Sequence, residues 1–270
     1  MTRFKRTPMS ILLVILSLKL ACAQNPEPSV ICIIGTSHTS TGFCNVQVLD
    51  SVLNRVKPDL ILVELDSSFF TSDFQFDTVK RPYMLKEGHA SPEDIASNNY
   101  RKSHKASMRP FDITGRNDFY RENEFFNRQD SMYKDIARYG LGGQLSERNQ
   151  SDFSLLCKSL ENVNDLEITT LRELNSEMLM NFLEIQEFIY LNKPLEIVET
   201  TDSLKKHAGF AHLQKDFWEK RNDTMIKNIL HFTNEYRRIV VLTGNLHRYY
   251  LVKGLNRVKG NFVIRDFWTF

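Results

Sequence analysis

Short runs of apolar, mostly β-branched residues recur along the chain, and stretches with helical spacing of apolar residues lie between them. A continuous apolar run predicts a strand that is buried on both faces, as in a parallel sheet. Such runs occur at residues 30–34, 59–65, 109–113, 239–243 and 261–267. The predicted helices cover residues 46–56, 119–139, 151–160, 166–191, 210–236 and 247–254. The helix at 166–191 is predicted to end before Pro194, because the residue before a proline disfavours helical geometry.

The arrangement of these elements predicts an α/β protein. The strands at 30–34 and 59–65 flank one helix, and a right-handed βαβ crossover would make them neighbours in one parallel sheet. Residues 66–108 are polar and poorly periodic, which predicts a surface loop with room for one helix. We therefore expect a mainly parallel sheet flanked by helices, with a largely helical insertion at roughly 115–236.

The amino-terminal residues 1–23 have the features of a secretory signal peptide. A basic start precedes an apolar run at 11–18, and Ala-Cys-Ala at 21–23 matches a cleavage site. A lipoprotein signal that is acylated on Cys22 is the less favoured alternative, because Lys19 stands where an apolar residue would be expected. The pattern predicts a secreted or periplasmic protein without a transmembrane segment after cleavage.

Residues 24–270 are the expected single domain. The leader would carry four of the 35 basic residues and none of the 33 acidic ones, so the remaining chain has a formal charge of −2. No basic run and no alternation of basic and aromatic residues is present, so we expect no nucleic-acid partner. Three cysteines remain, Cys32, Cys44 and Cys157, and pairing of the last two stays open because spacing alone does not decide it.

Two distant stretches share one design. Each is an apolar run, then a glycine, then a histidine three residues later: Gly35 with His38, and Gly244 with His247. A glycine at the carboxyl end of a strand permits a sharp departure of the backbone. Because ligands of open α/β sheets bind at that edge, the two imidazoles are candidates for one shared site.

Two charged residues have positions that suggest they belong to the same site as the two histidines. Glu64 closes the apolar run at 59–65, so its carboxylate either turns into solvent or faces the crevice beside His38. Arg221 lies on the apolar stripe of its helix, where its guanidinium needs an anionic partner unless its stem covers the core and its head reaches water. That partner would be Glu64 or a substrate oxyanion.

The remaining candidates are supporting ones. Asp112 and Arg116 follow the strand at 109–113, and a structural ion pair is their expected role. The other histidines are expected at the surface: His89, His104, His207, His212 and His231. The chain has no G-x-S-x-G elbow, H-E-x-x-H, Walker loop, G-x-G-x-x-G or C-x-x-C motif.

Four motifs together resemble the TraB/GumN and Tiki group, in the superfamily that includes erythromycin esterases and the haem-binding lipoprotein ChaN. They are Gly35-Thr-Ser-His38, Lys57-Pro-Asp-Leu-Ile-Leu-Val-Glu64-Leu65, Arg221-Asn-Asp-x-Met225 and Gly244-Asn-Leu-His247. The match lies at the two ends of the chain and covers about a third of it. The resemblance implies that His38, Glu64, Arg221 and His247 form the active site.

Three functions follow from this resemblance. The first is a hydrolase of an ester, small molecule or peptide, with His38 and Glu64 activating water and Arg221 stabilising the oxyanion. His247 would act as the acid or complete a set with His38 and Glu64 for Zn, Mn or Co. The second is a non-catalytic binding protein for a haem-like ligand, with Tyr249, Tyr250 or a histidine as axial donor. The third is a scaffold whose crevice is vestigial.

Overall fold

A five-stranded parallel sheet forms the centre of the protein. The computed structural model describes residues 27–86, 88–164 and 166–270, so the predicted signal peptide lies outside the described residues. The strands are β1 (Ser29–Thr36), β2 (Leu60–Val63), β3 (Ser107–Pro110), β4 (Arg238–Gly244) and β5 (Phe262–Ile264). Their order is β3-β2-β4-β1-β5, and every pairing is parallel.

The sheet order confirms the predicted class and corrects one detail. β1 and β2 share one parallel sheet, but they are not neighbours, because β4 lies between them. Thr36 pairs in register with Gly244, and Val63 pairs with Leu242. The two strands that precede the Gly-x-x-His motifs are therefore adjacent at the centre of the sheet. β3 also begins and ends earlier than the predicted strand at 109–113.

Helices cover both faces of the sheet. In the described part of the chain they are α1 (Val46–Val56), α2 (Pro92–His104), α3 (Arg116–Glu122), α4 (Phe125–Leu141), α5 (Glu147–Asn164), α6 (Leu171–Leu174), α7 (Glu177–Thr200), α8 (Ala208–His231) and α9 (Asn245–Asn256). Short 3₁₀ helices lie at Ser67–Phe69, Asp202–His207 and Phe267–Thr269. None of the described helices is both long and apolar enough to cross a bilayer.

The side chains of each strand alternate between two cores, as the period of a strand requires. Cys32 and Ile34 of β1 pack with α1, α2 and the beginning of α7. Ile31 and Ile33 pack on the other face with α8 and α9. A third core joins α4 and α5 to the end of α7 and the beginning of α8. The helical middle of the chain thus has its own hydrophobic centre beside the sheet.

The predicted helix at 166–191 is wrong at both ends. The chain forms α6 first, and α7 then continues through Pro194. A proline removes the N–H that would bond to the carbonyl four residues earlier, which here belongs to Tyr190. The hydroxyl of Tyr133 donates to that carbonyl at 3.2 Å. A side chain from α4 therefore supplies the hydrogen bond that Pro194 cannot make, and helical geometry is kept.

Two other expectations need correction, and the open question of cysteine pairing is answered. The predicted helix at 119–139 is two helices, α3 and α4, because Glu124 adopts a left-handed conformation with φ 49°. His207 is buried rather than at the surface, and its Nε2 lies 2.8 Å from an oxygen of Asp135. Cys44 and Cys157 are both free, since they belong to two separate cores.

Asn175 separates α6 from α7 and completes one edge of β1. Its buried side chain accepts a hydrogen bond from the N–H of Gly35 at 2.6 Å and donates one to the carbonyl of Gly35 at 2.9 Å. β5 pairs only with residues 29–31 of β1, so no strand lies beside Gly35 on that side. The amide of Asn175 therefore takes the place of a strand next to the candidate site.

We predict that Asn175→Ala lowers the free energy of unfolding by about 2–4 kcal/mol, because it leaves a buried N–H and a buried carbonyl without partners. Urea denaturation measures this loss. Asn256→Ala, at the exposed end of α9, is the control and should change the unfolding midpoint little. Equal stability of both variants would show that the Asn175 amide does not hold β1.

Candidate active site

The carboxyl ends of β1, β2 and β4 bring the predicted residues to one edge of the sheet. His38 follows β1, Glu64 follows β2, and His247 lies in the first turn of α9, directly after β4. Arg221 reaches the same place from α8. The structure therefore brings together all four residues that the two Gly-x-x-His motifs, the strand end and the helix stripe indicated.

Glu64 is buried and accepts hydrogen bonds on both oxygens. Its Oε1 accepts from Nη2 of Arg221 at 2.5 Å, and its Oε2 accepts from the hydroxyl of Thr243 at 2.7 Å and the N–H of Gly244 at 2.6 Å. Burial by itself raises the pKa of Glu64, but nearby His247 and Arg221 outweigh this effect and lower that pKa to about 2. Glu64 is thus an ionised anchor and a poor base.

Arg221 joins two carboxylates. Besides its bond to Glu64, it donates from Nε and Nη2 to the two oxygens of Asp112, at 2.8 Å each. Arg116 donates to the same Asp112 at 2.7 Å, so the expected Asp112–Arg116 ion pair is confirmed as a contact. Burial by itself lowers the pKa of Arg221. The hydrogen bonds to Asp112 and the charge of Glu64 outweigh this effect and raise the pKa overall, so the guanidinium stays charged.

His38 is the accessible imidazole. Half of its side chain is exposed, and its φ of 57° lies in the left-handed region, which is strained for a histidine. Its Nδ1 lies 2.9 Å from Oε1 of Glu93, and its Nε2 lies 3.7 Å from Oε2 of Glu64. Burial lowers the pKa of His38, but the Glu93 hydrogen bond and the charge of Glu64 raise it above its usual value.

Glu93 holds His38 in this orientation. It lies in the first turn of α2, where the N-terminal end of the helix favours a negative charge. The same oxygen that faces His38 also accepts a hydrogen bond from the hydroxyl of Thr36. Burial raises the pKa of Glu93, but the bond to His38 lowers it below its usual value overall. Glu93 is therefore ionised, and it favours the His38 tautomer with the proton on Nδ1.

Both motif glycines allow a close approach of other groups. A Cβ on Gly244 would lie 2.6 Å from Nε2 of His38. A Cβ on Gly35 would lie 3.1 Å from Cα of Asn245, the first residue of α9. Gly244 thus leaves room for the imidazole, and Gly35 lets α9 begin against β1.

His247 differs from His38 because it is buried. Its Nδ1 lies 2.7 Å from Oδ1 of Asn222, its Nε2 lies 3.4 Å from Oε1 of Glu64, and its ring stacks on Trp218 with centroids 4.4 Å apart. Burial lowers the pKa of His247 to about 4, even though Glu64 opposes the shift. His247 is therefore neutral near pH 7, and its Nδ1 donates its proton to Asn222.

A cavity of about 250 Å³ opens above Glu64. Its polar lining comes mainly from His38, Glu64, Glu93, Asp94 and Arg116. Asp94 is buried, and loss of water raises its pKa to about 6. Neither Arg221 nor His247 lines this cavity. A substrate in it would contact His38 and Arg116 directly.

The predicted metal ligands do not fit an ion in the arrangement that they adopt. His38 and His247 approach opposite oxygens of Glu64, and both oxygens already accept hydrogen bonds. Arg221 adds a positive charge beside the same carboxylate. Within the described ranges, no group of three or more His, Cys, Asp or Glu residues is placed to hold a metal. Metal dependence therefore stays a prediction.

Tyr249 and Tyr250 lie elsewhere. They line a separate cavity of about 630 Å³, behind Trp218, and His38 does not line it. Haem-like binding in the His38 crevice with a tyrosine ligand therefore finds no support in their position, and it stays a prediction.

No protein-family model matches this chain, and no curated protein or solved structure matches it either. The resemblance to the TraB/GumN and Tiki group rests on the four sequence motifs, so membership stays a prediction.

Sequence reasoning missed Glu93, Thr36, Asn222 and Trp218 as members of the site. The start of α2 has a recognisable signature, since Ser91 caps the helix through the N–H of Asp94. That signature locates the helix, but it does not show that Glu93 faces His38, which lies 55 positions away in the chain.

We predict that Gly244→Ala displaces the His38 ring with little effect on the fold, because the methyl group meets the free end of one half-exposed side chain. The backbone of Gly244, with φ −56°, accepts alanine. The pKa of His38 should fall towards its usual value as the ring leaves Glu64 and Glu93. Titration by NMR measures this change. Gly209→Ala, with open space around the new methyl group, is the control. An unchanged His38 titration in Gly244→Ala would contradict the packing described.

We also predict that His247 makes the protein less stable in acid. The unfolded chain takes up a proton at His247 as the pH falls below its usual 6.5, whereas the folded chain does so only near 4. Stability from this residue is therefore lost between about pH 6.5 and 4, on the order of 3 kcal/mol. The difference in unfolding free energy between the wild type and His247→Gln, measured across this range, isolates the effect. A difference that does not vary with pH would refute it.

Proposed function

We propose that this protein is a hydrolase of esters or peptides, in which His38 is the general base. The observation that carries the proposal is the arrangement of His38. A buried carboxylate, Glu93, holds its Nδ1 at 2.9 Å, and its Nε2 lies 3.7 Å from Oε2 of Glu64, without a hydrogen bond to it, at a cavity that Arg116 also lines. A general base needs an orienting partner, access to substrate and a pKa near the working pH. His38 has the orienting partner and the access to substrate. Burial lowers its pKa, but Glu93 and Glu64 raise it overall, which makes His38 a stronger base.

The reaction that this geometry supports begins with a water in the cavity. Nε2 of His38 takes a proton from the water as its oxygen forms a bond to the substrate carbonyl carbon. The anionic tetrahedral intermediate then collapses, and the bond to the leaving alkoxide or amine breaks. His38 returns its proton to that leaving group, so the base is restored. Glu93 stabilises the imidazolium that exists between the two proton transfers.

Arg116 is the best-placed donor for the developing oxyanion. It lines the cavity, whereas Arg221 is buried and engaged with Glu64 and Asp112. The oxyanion role expected of Arg221 therefore passes to Arg116 in this proposal. Arg221 acts as a positioning residue, because its hydrogen bond holds Glu64 under the cavity. Because a signal peptide is predicted at residues 1–23, the proposed enzyme would act outside the cytoplasm.

We predict that His38→Gln lowers hydrolysis by about 10²- to 10⁴-fold, because the variant cannot accept a proton. The measurement is kcat/KM on a panel of p-nitrophenyl esters and fluorogenic peptides. His212→Gln removes an exposed imidazole that pairs with Glu199, and it should leave activity unchanged. Equal activity of wild type and His38→Gln on every active substrate would refute the proposal and support a vestigial crevice.

The same experiment includes Glu93→Gln and a chelator. His38 must be neutral to act as a base, so activity should rise with pH through its raised pKa. Glu93→Gln removes the charge that favours the imidazolium and should move this rise to lower pH. An unmoved pH profile would show that Glu93 does not act through His38.

Treatment with a chelator tests the metal-dependent form. Activity that survives chelation agrees with direct water activation by His38. Activity that is lost on chelation and restored by added Zn, Mn or Co would establish the metal-dependent form instead.

A further inference from the structure

A second cavity, of about 300 Å³, lies under the helical part of the chain. Five of its twelve lining residues are aromatic, and they come from four helices: Tyr120, Phe125, Tyr190, Phe217 and Trp218. Its volume is at the lower end of the range for small-molecule sites, and it suits one side chain or a small aromatic molecule.

This cavity adjoins the candidate active site. Trp218 belongs to its wall, and the same ring stacks on His247. Leu246, the residue before His247, also lines it. Phe217 lies one helical turn before Arg221 on α8. A group bound in this cavity would therefore lie on the Trp218 and His247 side of the site, where an enzyme can hold the part of a substrate that it selects.

One carboxylate in this cavity has no partner. Glu187 is only 6% exposed and lines the cavity, yet it forms no hydrogen bond or ion pair with any residue that the structure describes. Beside it, Oε1 of Gln214 is buried and also without a hydrogen-bond partner. Buried polar groups are normally paired, because losing water without compensation is costly. Two unmatched acceptors in one aromatic pocket, with the indole N–H of Trp218 also unpaired among the described residues, indicate that a polar ligand fills the pocket.

We propose that this cavity is the specificity pocket of the enzyme and accepts a protonated amine on an apolar stem. The ammonium group would donate to the Glu187 carboxylate and to Oε1 of Gln214, and the faces of the surrounding rings would attract its charge. An anion is disfavoured by Glu187, and a neutral apolar group would leave both acceptors unmatched. The proposal deepens the proposed function, on which it rests, by naming the substrate class: an amine-bearing ester or a peptide with a basic side chain.

Binding of small probes tests this pocket without any hydrolysis. We use 2-phenylethylammonium and its neutral counterpart 2-phenylethanol, measured by calorimetry on the purified protein at about pH 8, where Glu187 is ionised. The amine should bind about tenfold or more tightly than the alcohol. Glu187→Gln should remove this preference, whereas Glu235→Gln, exposed before β4 at the opposite edge of the sheet, should retain it. Equal binding of the two probes, or a preference that persists in Glu187→Gln, overturns the proposal.

Two further measurements test amine binding in this pocket without the Glu187→Gln variant. In a Trp268→Phe background, Trp218 is the remaining tryptophan, so a change in emission places the amine against this wall. Burial raises the pKa of Glu187 to about 7, so affinity of the wild type for the amine should also rise from about pH 5 to 8 as Glu187 ionises. The other titratable groups that its charge reaches are the phenols of Tyr133, Tyr190 and Tyr249, whose pKa values burial raises. Absence of the emission change, or affinity that does not vary with pH, overturns the proposal.

The amine-pocket proposal and the proposed hydrolase function can be refuted separately, because the binding and hydrolysis experiments give different results in the two cases. Amine binding that depends on Glu187, together with unchanged hydrolysis in His38→Gln, would keep the pocket and refute the His38 mechanism. Loss of hydrolysis in His38→Gln, together with equal binding of the two probes, would keep the mechanism and refute the pocket.

Discussion

The arrangement of this site depends on one buried carboxylate, that of Glu64. It lies at the end of β2, and its two oxygens accept hydrogen bonds from α8, through Arg221, and from β4, through Thr243 and Gly244. A buried carboxylate without such donors would be costly to keep ionised. Because Glu64 is ionised, it keeps Arg221 charged and raises the pKa of His38. The same interaction joins the sheet to the helical part of the chain, so the fold and the electrostatics of the site have one origin.

The two Gly-x-x-His motifs look alike in sequence and behave differently in the fold. After β1 the chain enters a loop, and His38 takes a left-handed conformation that leaves half of its side chain exposed. After β4 the chain enters α9 at once, and His247 is buried between Trp218 and Glu64. Because of this difference in exposure to water, His38 is an accessible imidazole and His247 is a buried, neutral one. The same separation argues against one metal held by both, because they approach opposite sides of Glu64.

The sheet edge and the helical part contribute different things to the proposed activity. The edge supplies His38, Glu64 and the cavity above them, while the helices enclose an aromatic pocket with an unpaired Glu187. Trp218 belongs to both, since one ring lines the pocket and stacks on His247. In this arrangement the side chains that select the substrate lie on helices and do not touch the reacting atoms. They can therefore differ without a change in the reaction at the sheet edge.

The sequence by itself determined the α/β class, three of the five strands to within two residues at both ends, and the convergence of His38, Glu64, Arg221 and His247. It could do so because apolar runs and helical spacing are local patterns, and parallel strands end at one edge. Tertiary structure decided the rest. The position of β4 between β1 and β2, the helix through Pro194, the Glu93–His38 contact and the burial of His247 all depend on packing between segments far apart in the chain. No local pattern encodes them, because the partner of a buried polar group is set by what packs against it.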